Sequence, residues 1–119
     1  MHVTPLTRPA RNTLLRSYAA TLDGHPDAVF ADLVEKLVAH GDDVRVAVDG
    51  DARFAAVQGG WWYRAEYRVT ADPVGSRLGM TIVNVATPAH WAGPLTGRSV
   101  LRASGGAFEQ LVEELSTEE

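Results

Sequence analysis

The sequence predicts an α+β domain in which a curved antiparallel sheet packs on a long C-terminal helix. Three observations predict it. Residues 44–87 hold four strand-like runs joined by short turn signals, the usual connection between consecutive antiparallel strands. The run Trp61 to Thr70 alternates sharply: Trp61, Tyr63, Ala65, Tyr67 and Val69 fall on one face, and Trp62, Arg64, Glu66, Arg68 and Thr70 on the other. Near the end of the chain, Leu101, Phe108, Leu111, Val112 and Leu115 share one side of a helical pattern. A ring-bearing sheet face and an apolar helix stripe both need cover, and the simplest arrangement lets one cover the other.

Taken in order, Met1 to Arg11 reads as a flexible leader with two prolines and no apolar core, followed by a single domain over residues 12–119. Asn12 to Leu22 reads as a first strand, with its alternation blurred by Arg16 and the paired alanines. Asp23-Gly24-His25-Pro26 breaks it. Pro26 suits a first helical turn, where a missing N–H costs nothing, and Asp27 places negative charge where the helix dipole favours it. The helix is expected to reach about His40, burying Phe30, Leu33, Val34 and Leu37, with Asp32 and Lys36 able to pair outside and Gly41 as a left-handed stop. Val44, Val46 and Val48 begin the meander, Asp49-Gly50 signals a tight hairpin, and Arg53 to Gln58 returns. Gly59-Gly60 permits a bend or bulge. Asp72-Pro73-Val74-Gly75 closes the next hairpin, and Leu78 to Thr87 is the last strand. After Pro88 comes a loop, Ala89 to Gly97, and helical pattern resumes at about Arg98. Gly105-Gly106 falls inside that pattern, so the helix starts after the pair, bends there, or brings its backbone close to something.

Bulk properties narrow the functions. At 119 residues one domain with one real core is expected. The absence of cysteine excludes disulfides, thiolate metal sites and cysteine nucleophiles. A net charge of -4, with scattered arginines, disfavours nucleic acid. No apolar run approaches the ~20 residues of a membrane span. The leader does not resemble a secretory signal, so the cytoplasm is the expected location.

The order of elements and four stretches together resemble the SRPBCC superfamily, the START-like or helix-grip proteins, which include polyketide cyclase-like proteins and plant allergen-type carriers. Gly24-His25-Pro26-Asp27-Ala28-Val29-Phe30 is similar to the family's approach to its first helix. Ala56 through Tyr67 (AVQGGWWYRAEY) is similar to its central hairpin, Ile82-Val83-Asn84-Val85 to its last strand, and Ala107-Phe108-Glu109-Gln110-Leu111-Val112 to its closing helix. The resemblance spans roughly residues 12 to 116. It implies a cavity for apolar or lipid-like ligands between the sheet and the final helix. Five strands and one early helix are fewer than the family usually has, which implies a smaller cup.

The aromatic face then has two readings. It is the wall of a pocket formed by Trp61, Tyr63, Tyr67, Met80, Ile82 and Phe108, or it is a filled core, the simpler expectation given how densely cores pack. Asn84 shares that face and is a structural anchor or a polar contact for a ligand. Arg64, Glu66 and Arg68 read as a solvated ion-pair ladder of little energetic value. If this row faced the cup instead, Arg64 would hold an enolate or carboxylate and Glu66 would shuttle protons. His2, His25 and His40 stand alone. His90, beside Trp91 in the loop, is the best candidate for a functional histidine, although a plain loop residue is the simpler reading. No metal-ligand spacing or Ser/His/Asp set is present, no phosphate-binding glycine motif is recognisable, and no cofactor is expected.

The reading that follows is a domain binding a small hydrophobic or aromatic molecule through Trp61, Tyr63, Tyr67, Ile82, Asn84, Trp91 and Phe108. The first alternative is an enzyme resembling polyketide cyclases or aromatases, with Tyr63, Arg64 or His90 assisting proton transfer. The second is a protein-interaction module with a filled core and an exposed Trp62/Trp91 patch. A homodimer is left open.

Overall fold

The computed structural model describes residues 2–3, 6–9, 12–39, 44–59, 62–86 and 98–117. Its elements are β1 (His2–Val3), β2 (Thr13–Leu22), α1 (Pro26–Val38), β3 (Val44–Asp49), β4 (Phe54–Gly59), β5 (Tyr63–Asp72), β6 (Gly75–Asn84) and α2 (Arg98–Thr117). The sheet order is β1-β3-β4-β5-β6-β2. The pairings among β2 to β6 are all antiparallel, β3 to β6 forming the expected meander, and the short β1 joins the edge of β3 in parallel. β2 returns beside β6, so the first predicted strand and the last one pair. The α+β class and the antiparallel sheet with a C-terminal helix therefore stand as expected.

Both helices lie against one face of the sheet. α1 packs on β3, β5 and β6, while α2 packs on β2 and α1. Directly opposed residues share a face, so the register joins Tyr63 to Asn84, Ala65 to Ile82 and Tyr67 to Met80, and Met80 in turn to Tyr18. This is the face that carries the core, with Leu33, Ala55, Ala65, Leu78 and Ile82 sealed from solvent. α1 buries Val29, Phe30, Leu33 and Leu37, and α2 buries Leu101, Phe108 and Leu115, the stripes their spacing requires. The N-cap of α1 is His25, whose Nδ1 accepts from the Asp27 amide at 3.2 Å. Lys36 Nζ lies 3.9 Å from Glu114 Oε2 on α2, joining the two helices. Gly41 and His40 lie outside the described residues.

Several local expectations change. The β3–β4 connection is a four-residue turn, Gly50 to Arg53, and not the two-residue hairpin that Asp49-Gly50 suggested. Asp49 Oδ1 accepts from the Ala52 amide at 3.3 Å, and Arg53 takes the left-handed conformation at φ 49. An acceptor at Asp49 thus stabilises a longer turn than the dipeptide alone implies. At the β5–β6 hairpin, Gly75 has φ +148, and a Cβ there would lie 2.8–2.9 Å from backbone atoms of Gly24 and Leu22. Only glycine lets the hairpin sit against the β2–α1 junction.

The Gly105-Gly106 pair neither starts nor stops α2, which runs continuously from Arg98 to Thr117. Gly105 faces the Tyr18 ring, and an added Cβ would meet it at 3.6 Å, an ordinary contact. Gly106 is exposed and has nothing within 4 Å of an added Cβ. Packing of α2 on the sheet thus outweighs two poor helix formers. Gly106→Ala should raise the unfolding free energy by about 0.5–1 kcal/mol. A urea midpoint that stays put or falls would show that Gly106 has a role beyond propensity.

The second sheet face departs most from expectation. Alternation places Arg64, Glu66 and Arg68 there, but the row is not a solvated ladder. Arg64 is fully buried. Its Nε donates to Glu66 Oε2 at 2.9 Å, one Nη to Gln58 Oε1 at 2.9 Å, and the other to the Leu6 carbonyl at 2.8 Å. Arg8 grips Glu66 from above at 2.6 and 3.3 Å. Asn12 Nδ2 donates to the Pro9 carbonyl at 2.8 Å, folding the segment back on itself. Arg68 sits over the Phe54 ring, 5.0 Å from its centroid. The segment expected to fray is therefore held in part: β1 pairs in parallel with β3, and Leu6 and Arg8 lie on the charge row.

Candidate functional site

The space between the two helices and the sheet is not completely filled. A cavity of about 310 Å³ is lined by Leu37, Tyr63, Tyr67, Met80, Phe108 and Leu111, with Lys36, Gln110 and Glu114 among its polar members. The sequence arranges this directly. β5 delivers Tyr63 and Tyr67 on one face, β6 places Met80 opposite Tyr67, and α2 lays Phe108 and Leu111 over them at i, i+3. Phe108 also stacks on Tyr18, with ring centroids 5.5 Å apart at 20°. Beyond it, the Tyr18 hydroxyl and Ser104 Oγ share a hydrogen bond of 2.5 Å, and Ser104 Oγ donates to the Leu101 carbonyl at 2.7 Å. That pair fixes the lateral position of α2 over β2.

The chemistry of the walls is that of neutral donors and apolar surface. Burial raises the Tyr67 phenol well above its ordinary range, and the neighbouring Tyr63 adds to the shift. Burial likewise raises Tyr63, with a smaller contribution from Tyr18. Both hydroxyls are protonated at neutral pH and can donate to a ligand carbonyl or ether. Among the described residues, no group of three or more His, Asp or Glu side chains could hold a metal ion.

The expected contact residues divide into three groups. Tyr63, Tyr67 and Phe108 come together on the cavity wall. Ile82 is fully buried within the core, and Asn84 is buried with its Oδ1 accepting from the Ala86 amide at 3.1 Å. Neither is among the lining residues, and Asn84 acts as an anchor for the end of β6. Trp61 and Trp91, together with His90, lie outside the described residues. Two alternatives lose a component. Arg64 and Glu66 occupy the face opposite the cavity, so they cannot hold or deprotonate anything bound in it; strand alternation places them there. Trp62 is buried, not part of an exposed patch. It precedes the first residue of β5, so alternation does not govern it; it turns into the core and meets Tyr63 edge-on at 5.5 Å. Lys36, Leu37, Gln110 and Glu114 were not anticipated as lining residues. They occupy the last turns of α1 and the C-terminal half of α2, and only the approach of the two helices makes them neighbours.

No family model and no curated protein matches this chain. Among solved structures, the chain is similar to TTHA0849 from Thermus thermophilus, at 15% sequence identity and a TM-score of 0.52, with 90% of this chain and 95% of that one covered. The likeness bears on the fold alone. No described helix is long and apolar enough to cross a membrane.

Proposed function

We propose that this chain is a helix-grip domain of the SRPBCC type that binds a small hydrophobic or aromatic molecule in the cavity under α2. The observation that carries the reading is the partial filling of the core. Two tyrosines, a phenylalanine, a methionine and two leucines line a space of about 310 Å³, near the lower bound of about 300 Å³ for ligand sites. The pocket is partly open to solvent, so it offers a ligand both apolar walls and a way in. The apolar walls supply burial, at roughly 25 cal/mol per Å², and the protonated hydroxyls of Tyr63 and Tyr67 orient a single polar group.

A neutral aromatic probe, 1-naphthol, should raise the melting temperature and quench tryptophan emission saturably, since a ligand that binds only the folded state stabilises it by about 2.7 kcal/mol at a hundredfold excess over Kd. Leu111→Trp, which puts an indole into the cavity, should remove that response while leaving the far-ultraviolet dichroism intact. An unaltered melting temperature across a panel of neutral aromatic and lipid-like probes would refute the reading.

A further inference from the structure

The arginines of this chain are used unevenly. Arg8 and Arg64 engage Glu66, Arg53 donates to Asp27 at 2.8 Å, and Arg68 covers Phe54. Arg16, Arg98 and Arg102 follow a different pattern. All three are exposed, and they line one depression of about 170 Å³ between β2 and α2, floored by the buried Leu101. The described structure gives none of them an acidic partner; Arg16 donates only to the carbonyl of its neighbour Leu15, at 2.8 Å. Residues 87–97, which precede α2, include no Asp or Glu, so no acid can come from there. Nor does helix stability account for the cluster. Arg98 and Arg102 stand one turn apart as like charges, which is mildly destabilising, and the first turn of α2 holds no acid to offset them.

We infer that Arg16, Arg98 and Arg102 form a binding site for an oxyanion, a carboxylate or a phosphate, that is separate from the cavity under α2. Three positive chains converge from two elements on a chain whose overall charge is -4, so the local sign is the reverse of the global one. Guanidinium groups present paired donors matched to carboxylate and phosphate oxygens. The depression admits a group of that size, and an anion there removes the mutual repulsion of its walls.

The test is a titration of the isotopically labelled full chain with inorganic phosphate, with decanoate, and with phosphatidylglycerol vesicles, at constant chloride. Phosphate and decanoate should shift the amide and Nε–H signals of Arg16, Arg98 and Arg102 saturably and compete with each other. Arg102→Gln should weaken both at this depression by about tenfold, the loss of one charge-assisted contact, and the triple glutamine variant should abolish phosphate binding and the decanoate-induced shifts at residues 16, 98 and 102. Arg77→Gln, an exposed arginine of β6 outside the depression, should leave both unchanged. Because the cavity probe is neutral, its response should be untouched by the triple variant, which keeps failure of one site distinct from failure of the other. Absence of saturable shifts, equal weakening by Arg77→Gln, or binding confined to vesicles would overturn the proposal.

Discussion

Phe108→Ala should lower the unfolding free energy by about 3–5 kcal/mol, the range for removing a large buried aromatic side chain. Phe108 does three things at once. It is 5% exposed in the centre of the α2 stripe, it stacks on Tyr18, and it forms part of the cavity wall. Truncation enlarges an existing gap instead of opening a new one in dense packing, so neighbouring side chains have little to collapse onto. Phe108→Leu keeps most of the apolar volume and should cost less than half as much. Guanidinium denaturation of both variants measures the difference. A loss below about 1 kcal/mol for Phe108→Ala would mean that α2 is not held to the sheet at this point. The same substitution should weaken 1-naphthol binding, and the leucine variant should restore most of it.

Arg64→Met should cost a comparable amount, about 3–5 kcal/mol, because removing one member of a buried ion pair strands the others. Arg64 has no exposed surface and holds Glu66, Gln58 and the Leu6 carbonyl together. Its loss leaves the Gln58 amide oxygen and one side of the Glu66 carboxylate short of donors beneath the N-terminal segment. If stranding is the cause, Arg64→Met combined with Glu66→Leu should recover part of the loss, a coupling that a double-mutant cycle reads directly. If the double variant is as unstable as the sum of the singles, the network is not a unit.

The same network carries a pH dependence. Burial tends to raise the Glu66 carboxyl, but hydrogen bonds from Arg8 and Arg64 and their charge outweigh it, so its pKa lies below the usual carboxylate value. A depressed folded pKa contributes stability that is complete above the unfolded value of about 4.3 and is lost as pH falls through the folded one. Attachment of the N-terminal segment should therefore hold at neutral pH and weaken progressively below about pH 4. Amide exchange at Leu6 and Arg8 would report it, and Glu66→Gln should loosen the segment at neutral pH.

Much of this fold was legible in residue order because the signals were local. Period-two alternation in β5 and period-3.6 stripes in α1 and α2 state which side chains share a face, and His25-Pro26-Asp27 marks a helix start by its own chemistry. Tyr63, Tyr67 and Phe108 were legible as partners for the same reason: a ring-bearing strand face and an apolar helix stripe have no stable alternative to burying each other. What alternation cannot state is what lies over a face. It placed Arg64 correctly on the side away from the cavity, yet the burial of Arg64 depends on Leu6 and Arg8, 58 residues away from the groups they touch. Trp62 escaped the rule because it stands just before β5, where one residue of turn redirects a side chain from solvent to core.

Residue order alone was enough for the succession of elements, the core-facing side of each, and the presence of excess aromatic surface under α2. Three things came only with the folded arrangement: the pocket this surface lines, bordered by Lys36, Gln110 and Glu114; the contacts of Leu6 and Arg8 with Arg64 and Glu66 on the opposite face; and the meeting of Arg16 with Arg98 and Arg102. The difference is one of range. Backbone sterics and side-chain periodicity act within a few residues and can be read from neighbours in the chain, whereas packing gaps and clusters of like charge arise where distant elements meet, at distances that sequence spacing does not encode.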